Sequence, residues 1–120
     1  KTTGVSFLSG DDPTFLASLA VGGQGVISVV SNIFPRAMVD LAAAFRNGEL
    51  TRAQALNNVL LPVIDALLCE VNPCPLKAAL AVLGLAKNAL RPPLAGITEG
   101  SFRRVQDAVH SATDALKRIG

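Results

Sequence analysis

Two adjacent carboxylates are the side chains that most readily suggest chemistry in this chain. Asp11 and Asp12 directly follow a short apolar run that ends at Ser9-Gly10. Adjacent carboxylates behind a strand could bind a metal ion or serve as acid and base. The alternative is structural, because Asp12 can accept hydrogen bonds from the free amides of a helix start, where Pro13 has no amide to lose. The spacing alone favours this helix-capping interpretation.

Lys77 and His110 are the side chains that could carry covalent or acid–base chemistry elsewhere. A desolvated lysine can attack a carbonyl group, but Lys77 is predicted on a short helix behind a proline loop and not at the end of a strand. His110 flanks an apolar stripe without an evident carboxylate or thiolate partner, which is typical of a surface histidine. We therefore predict a catalytic role for neither.

Neither the cysteines nor the glycine-rich segment of the chain predicts a bound metal or cofactor. Cys69 and Cys74 could form a disulfide or half of a metal site, but they do not form a Cys-x-x-Cys pair, and the one histidine is distant in sequence. They are typical of reduced thiols in a cytoplasmic protein. The segment 22–25, Gly-Gly-Gln-Gly, precedes a strand, whereas a dinucleotide-binding loop follows a strand and opens a helix. We interpret it as a helix-to-strand turn.

The composition bounds the class of protein. The chain has 120 residues, of which 50% are hydrophobic and 17% charged, so one modest domain with a buried core is expected. The net charge of +2 and the absence of Trp and Tyr argue against nucleic-acid binding. No apolar run reaches the roughly 18 residues of a transmembrane helix, and no secretory signal is visible. A first residue of Lys1 rather than Met suits a sequence cut from something longer.

The elements that must position the carboxylates begin with a βαβ unit. Val5–Leu8 predicts a strand, Thr14 to about Ala20 a helix, and Gly25–Val30 a second strand with four β-branched residues in six. A strand, a helix and a strand within about 25 residues make one βαβ unit, so the two strands should be parallel.

The pattern after the second strand is helical. Pro35 opens a helix that closes at Asn47-Gly48, and Thr51 is predicted to cap the next helix. Pro62 lies inside that helix and should kink it, because proline removes a hydrogen bond and crowds the carbonyl of Asn58. Apolar residues recur there at helical spacing, namely Leu56, Val59, Leu60, Val63 and Leu67.

The last part of the chain predicts two more helices. Glu70 to Pro75 is predicted as a loop, Pro75–Leu83 as a short helix that ends at Gly84, and Leu90–Pro93 as an extended segment. The final helix should begin near Thr98 or Glu99. Its apolar stripe alternates steps of three and four residues, in Phe102, Val105, Val109, Ala112, Leu116 and Ile119.

Several motifs, in one order along nearly the whole chain, resemble the dihydrodipicolinate synthases of the pyruvate-dependent aldolase family. The matching segments are Leu8–Asp12, Gly22–Val29 with Asn32 shortly after, Asn72–Lys77 and Leu90–Leu94. The Gly-Val-Ile-Ser-Val strand and the Asn-Pro-x-Pro-x-Lys loop favour this branch over the related sialic-acid lyases and sugar-acid aldolases. The departures from the family pattern are mild and lie at Gly23, Cys74 and Pro92.

The resemblance implies an α/β fold, namely the carboxy-terminal part of a (β/α)₈ TIM barrel with a helical appendage. Residues 1–48 would hold the last two β/α units, with Val5–Leu8 as the seventh strand and Gly25–Val30 as the eighth. Residues 49–120 would form the carboxy-terminal helical region. Active sites of such barrels lie at the carboxy-terminal ends of the strands.

The resemblance also implies a set of substrate-binding residues. Gly10, Asp11 and Asp12 would line the mouth of the barrel near the aldehyde substrate, and Ile27 matches a position whose backbone contacts bound pyruvate. The small-molecule substrates would be pyruvate and aspartate semialdehyde, condensed by a cytoplasmic, homo-oligomeric lyase of lysine and diaminopimelate biosynthesis.

The residues that carry out this family's chemistry are not found in the chain. The family holds pyruvate as an imine on a lysine of the sixth strand and relays protons through a tyrosine of the fifth. The chain has no tyrosine, and none of its lysines, Lys1, Lys77, Lys87 and Lys117, is predicted to end a strand. We therefore expect a fragment that contributes part of the pocket and no catalytic residue. The alternatives are a stand-alone helical interaction module derived from such a barrel, or a fragment of a related pyruvate-dependent aldolase of the sialic-acid or sugar-acid type.

Overall fold

The protein is described by a computed structural model that covers residues 4–119, so Lys1 lies outside the described residues. Residues 4–119 form two short strands and five α-helices, with one 3₁₀ helix behind the second strand. In chain order they are β1 (Leu8–Ser9), α1 (Phe15–Ala20), β2 (Gly25–Val26), the 3₁₀ helix (Val30–Asn32), α2 (Pro35–Arg46), α3 (Leu50–Leu67), α4 (Cys74–Val82) and α5 (Glu99–Ile119).

The two strands are parallel, which confirms the predicted βαβ unit. Leu8 lies opposite Gly25 and Ser9 opposite Val26. The turn into β2 favours glycine at position 23, since a Cβ atom there would lie 2.7 Å from the backbone carbonyl oxygen of Ser18. The helix α1 joins the two strands, and residues 21–24 connect its end at Ala20 to the start of β2.

Both strands are shorter than the sequence predicts. β1 lacks most of Val5–Leu8, because among the described residues it has a single neighbour, and the side chains of Val5 and Phe7 are exposed. β2 stops at Val26 instead of Val30, and the chain then turns into the 3₁₀ helix. The amides of the turn are taken by side-chain acceptors, which outweighs the β propensity of this segment.

The helices follow the predicted order with local corrections at their ends. The prediction that Thr51 caps α3 is wrong, because α3 begins at Leu50, directly after its N-cap residue Glu49. α2 ends in a tight turn at Gly48, which has a φ of +80°. The Glu49 amide closes this turn by donating to the Ala44 carbonyl at 2.8 Å, so the next helix can start at Leu50. α3 continues through Pro62, which lies on its exposed side.

The remaining helix boundaries also differ slightly from the sequence-based expectation. α4 begins at Cys74 rather than Pro75, because proline is tolerated anywhere in the first helical turn. The predicted extended segment Leu90–Pro93 instead enters a turn, in which the Leu94 amide donates to the Arg91 carbonyl at 3.0 Å. α5 begins at Glu99, as predicted.

The core is a single cluster to which both ends of the chain contribute. α3 packs against α2 and α5, and α5 also packs against α4. The predicted apolar stripes of α3 and α5 face this cluster, except that Phe102 is not among its members or the side chains packed against it. Its members include Phe15, Val30, Leu41, Leu60, Val63, Val105 and Val109. Within residues 4–119, no helix combines the length and the apolarity that crossing a bilayer requires.

Candidate functional site

The four residues predicted to bind substrate lie around one small cavity. Gly10, Asp11 and Asp12 follow β1 and Ile27 follows β2, so all four stand at the carboxy-terminal ends of the parallel strands. The cavity has a volume of about 90 Å³. Its remaining walls come from the same strand ends and from the end of α3, as Pro13, Val29, Ile64, Leu67 and Leu68.

Asp12 is buried and links the two strand ends. Its Oδ2 atom accepts hydrogen bonds from the amides of Val29 and Val30, each at 2.9 Å. These amides belong to the start of the 3₁₀ helix, where no carbonyl of that helix can reach them. The Oδ1 atom is also buried and has no hydrogen-bond partner among the described residues.

The prediction that Asp12 caps the helix that directly follows it is therefore wrong. α1 has Thr14 as its N-cap residue, and within residues 4–119 the Thr14 side chain makes no capping hydrogen bond. Asp12 does accept from free helix amides, as capping requires. However, these amides lie 17 and 18 residues further along the chain, at the start of the 3₁₀ helix. Capping by a carboxylate does occur, but at a different helix from the predicted one, because spacing along the sequence does not show which chain segments meet in the fold.

Asp11 is held in a different way, at the exposed side of the mouth. Its Oδ2 atom accepts from the Thr14 hydroxyl at 3.1 Å, and its amide donates to the Ser9 hydroxyl oxygen at 3.2 Å. The Ser9 hydroxyl in turn donates to the Asp11 carbonyl at 3.0 Å. These bonds stay within the turn after β1, so Asp11 presents its carboxylate to solvent on a fixed backbone.

Ile27 is anchored through its backbone while its side chain is exposed. Its amide donates to the Ser9 carbonyl at 2.8 Å, in continuation of the pairing between the strands. The side chain is 70% exposed. Because the amide is already used, the carbonyl is the backbone group of Ile27 that remains for a ligand.

The side chains set aside by sequence lie apart from this cavity. Lys77 is half-buried in α4, where its amide donates to the Pro73 carbonyl at 2.9 Å, and it does not end a strand. His110 is exposed on α5, as predicted. Cys69 and Cys74 are free thiols, half-buried and buried respectively. In residues 4–119, no three His, Cys, Asp or Glu side chains group as a metal-binding set.

The wall that α3 contributes to the cavity was missed by sequence reasoning. Leu67 belongs to the predicted stripe of α3, and that stripe signals burial without showing which part of the core a residue faces. Leu68 is 55% exposed and carries no pattern of its own. Only the packing of the end of α3 over the strand ends brings these side chains to the site.

Glu70 forms a second polar cluster, beyond the end of α3. Its Oε1 atom accepts from the Thr98 amide at 3.0 Å and from the Thr98 hydroxyl at 2.8 Å. Hydrogen bonding by Ser101, then by the backbone and the side chain of Thr98, lowers the pKa of Glu70 below its ordinary value. The carboxylate thus ties the loop after α3 to the first turn of α5.

Comparison with known proteins places this arrangement in a known class. The solved 4-hydroxy-tetrahydrodipicolinate synthase of Methylacidiphilum fumariolicum SolV superimposes on 95% of the chain with a TM-score of 0.90 and 37% identity, over 38% of its own length. The dihydrodipicolinate synthase of Thermotoga maritima superimposes on 90% with a TM-score of 0.86. The fold is therefore the carboxy-terminal part of a (β/α)₈ barrel together with its appended helices.

Sequence relatives agree with this assignment. The 4-hydroxy-tetrahydrodipicolinate synthases of Methanothrix thermoacetophila and Anaeromyxobacter sp. (strain K) are 43% and 46% identical over 107 and 105 residues. The Dihydrodipicolinate synthetase family matches residues 2–112. The chain belongs to this family, and it spans about 36% of the length of these curated relatives.

Proposed function

We propose that the chain forms part of the substrate pocket of a lyase that condenses pyruvate with aspartate semialdehyde. The observation that carries the proposal is the meeting of Gly10, Asp11, Asp12 and Ile27 around one cavity at the strand ends. Catalytic groups of (β/α)₈ barrels stand at this end of the strands. The name 4-hydroxy-tetrahydrodipicolinate synthase, borne by the relatives, supports the same reaction class.

Three of these residues have a proposed task that follows from their bonding or their position. The Ile27 carbonyl is proposed to contact pyruvate, because the Ile27 amide is used by Ser9. Asp11 and the backbone of Gly10 are proposed to face the aldehyde, since both lie at the exposed rim. The imine-forming lysine and the proton-relaying tyrosine would come from other β/α units, because the chain contains no tyrosine.

We also propose that the chain consists of the two structural regions that the family fold implies. Residues 1–48 would supply the last two β/α units, and residues 49–120 the helical region that covers them. The end of α3 closes one side of the cavity through Ile64, Leu67 and Leu68. The helical region is thus proposed to shape the pocket from outside the barrel, and the complete enzyme is proposed to be a homo-oligomer.

A fusion protein tests the proposed function. The chain replaces the matching 36% of the Anaeromyxobacter relative, and condensation of pyruvate with aspartate semialdehyde is measured. We expect activity in the fusion and none in the relative truncated at the same junction. A soluble, folded fusion without activity would overturn the proposal. Activity with a sugar-acid or sialic-acid substrate instead would assign the chain to a related aldolase.

A further inference from the structure

We infer that Asp12 is a positioning residue that holds the Ile27 backbone at the mouth of the barrel by accepting the amides of Val29 and Val30. The inference rests on the proposed function, because it gives Asp12 a task in the site proposed there. Asp12 would act through the segment after β2 and not by touching the reacting atoms.

The burial of Asp12 requires strong partners. The residue is 7% exposed, and carboxylates are seldom buried to this extent unless they are paired or hydrogen-bonded. Its two partners are the amides of Val29 and Val30, both at 2.9 Å. Hydrogen bonds to a carboxylate are roughly twice as strong as those between neutral groups. The segment after β2 is therefore bound firmly to the turn after β1.

This bond determines where the chain leaves the sheet. Ile27 still pairs with β1 through its amide, whereas Val29 already has helical dihedral angles, with φ −83° and ψ −48°. The β-branched residues of this segment favour an extended backbone, so the turn depends on its hydrogen-bond acceptors. Ile27 thus lies between two anchored points of the backbone. Its own amide donates to the Ser9 carbonyl, and the amides two and three residues later donate to Asp12. Loss of the Asp12 side chain should therefore allow the carbonyl of Ile27 to move.

Asp11 does not depend on the same anchor. Its bonds to Thr14 and Ser9 lie wholly within the turn after β1. A substitution of Asp12 should therefore disturb the proposed pyruvate contact at Ile27 more than the proposed aldehyde contact at Asp11. A purely structural role of Asp12 would weaken both contacts alike.

The test compares Asp12→Ala with the matched control Asp114→Ala in the fusion protein. Asp114 is exposed on α5, where its Oδ1 atom lies 3.3 Å from the Lys117 Nζ atom, and it is not among the residues that line the cavity. We expect Asp12→Ala to raise the KM for pyruvate by about tenfold to a hundredfold, as displacement of a contact group does. The KM for the aldehyde should change less. Hydrogen–deuterium exchange of the amides of Val29 and Val30 should accelerate in the same variant.

Asp12→Asn covers the case in which Asp12→Ala does not fold. It keeps one acceptor oxygen but loses the charge, so the KM for pyruvate and the exchange of the two amides should rise by less than in Asp12→Ala. The inference would be overturned if the variants that fold kept the wild-type KM for pyruvate and the wild-type exchange rate of the Val29 and Val30 amides. Equal increases of the KM values for both substrates would overturn it as well. An inactive unsubstituted fusion would overturn the proposed function and this inference with it, whereas an active fusion with unchanged variants would overturn the inference alone.

Discussion

The backbone of Ile27 can be tested apart from its side chain. Ile27→Pro removes the amide that donates to Ser9 and distorts the strand end, so the KM for pyruvate of the fusion protein should rise sharply. Ile27→Val is the matched control, because it keeps a β-branched side chain and the amide, and it should have little effect. Steady-state kinetics at varied pyruvate measures both. Normal kinetics in the proline variant would refute the assignment of Ile27 to the pyruvate site.

The lysines of the chain should not form an imine with pyruvate. Among the described residues no lysine ends a strand, and Lys77 lies in a helix away from the cavity. We expect that incubation of the isolated chain with pyruvate and borohydride leaves its intact mass unchanged. The unsubstituted fusion protein, which would carry the imine-forming lysine proposed for the other β/α units, is the positive control. A stoichiometric adduct on Lys77 would show that it is the nucleophile.

The candidate residues could be named from sequence, but their bonding could not. The resemblance to the family pointed to Gly10, Asp11, Asp12 and Ile27, and the structure gathers them around one cavity. The partner of Asp12 was mispredicted, because its acceptor oxygen meets amides that are distant in sequence. Such long-range pairing leaves no periodicity or spacing that a single sequence would reveal.

At the level of elements, the contact between Glu70 and α5 should make the stability of the fold depend on pH. The pKa of Glu70 is lowered in the folded state, so its stabilising contribution is present above the unfolded-state pKa and is lost as the pH falls through the lowered value. Glu70→Gln should therefore lower the melting temperature of the fusion protein near neutral pH. The difference from the unsubstituted protein should shrink in acid. Asp114→Asn, on the exposed face of α5, is the control, and a constant difference across pH would contradict the prediction.

The packing of α3 can be probed by truncating one of its buried leucines. Leu60 is 1% exposed, and Leu60→Ala should lower the free energy of unfolding by about 2–5 kcal/mol through lost burial and the cavity left behind. Leu50 at the start of the same helix is 53% exposed, so Leu50→Ala should change the free energy of unfolding by less than about 0.5 kcal/mol. Denaturant unfolding of the fusion protein measures both. Equal effects would mean that α3 is not packed as described.

The helices were predictable from the sequence, whereas the strands were predictable only in part. Helical stripes such as Val105 with Val109 report burial directly, and both residues are fully buried. Strand length depends on neighbours, which is why Val5 and Phe7 are predicted as strand residues yet lie outside β1, although the Phe7 carbonyl still accepts from the Gln24 amide at 2.8 Å. The end of β2 was missed because Asp12, outside the segment, decides where it turns.

On the scale of the whole molecule, the described residues leave an apolar surface where a closed barrel would continue. Val5, Phe7, Leu8 and Ile27 are 74%, 59%, 47% and 70% exposed. β1 and β2 form a sheet of two strands, and so small a sheet is marginal in water. Burial of each such side chain would contribute about 1.5–3 kcal/mol. The packing of α3 against both α2 and α5 is the feature that favours the alternative of a stand-alone helical module.

We therefore expect the isolated chain to self-associate. Unpaired strand edges next to exposed apolar side chains favour pairing with another chain. Light scattering across a dilution series should show species larger than a monomer, and co-expression with the amino-terminal part of the Anaeromyxobacter relative should reduce them. A monomer that melts cooperatively at low micromolar concentration would contradict this expectation and support the helical module.

The position of α5 has a consequence for the chain during its synthesis. α5 covers α3 with Val105 and Val109, yet residues 68–98 separate the two helices. A ribosome adds about 5–20 residues per second, so the face of α3 that packs against α5 lacks this cover for several seconds after α3 has been translated. During that interval apolar residues of α3 are without the packing that α5 provides in the fold. Chaperones that bind apolar helical segments would meet this face before the protein can bury it.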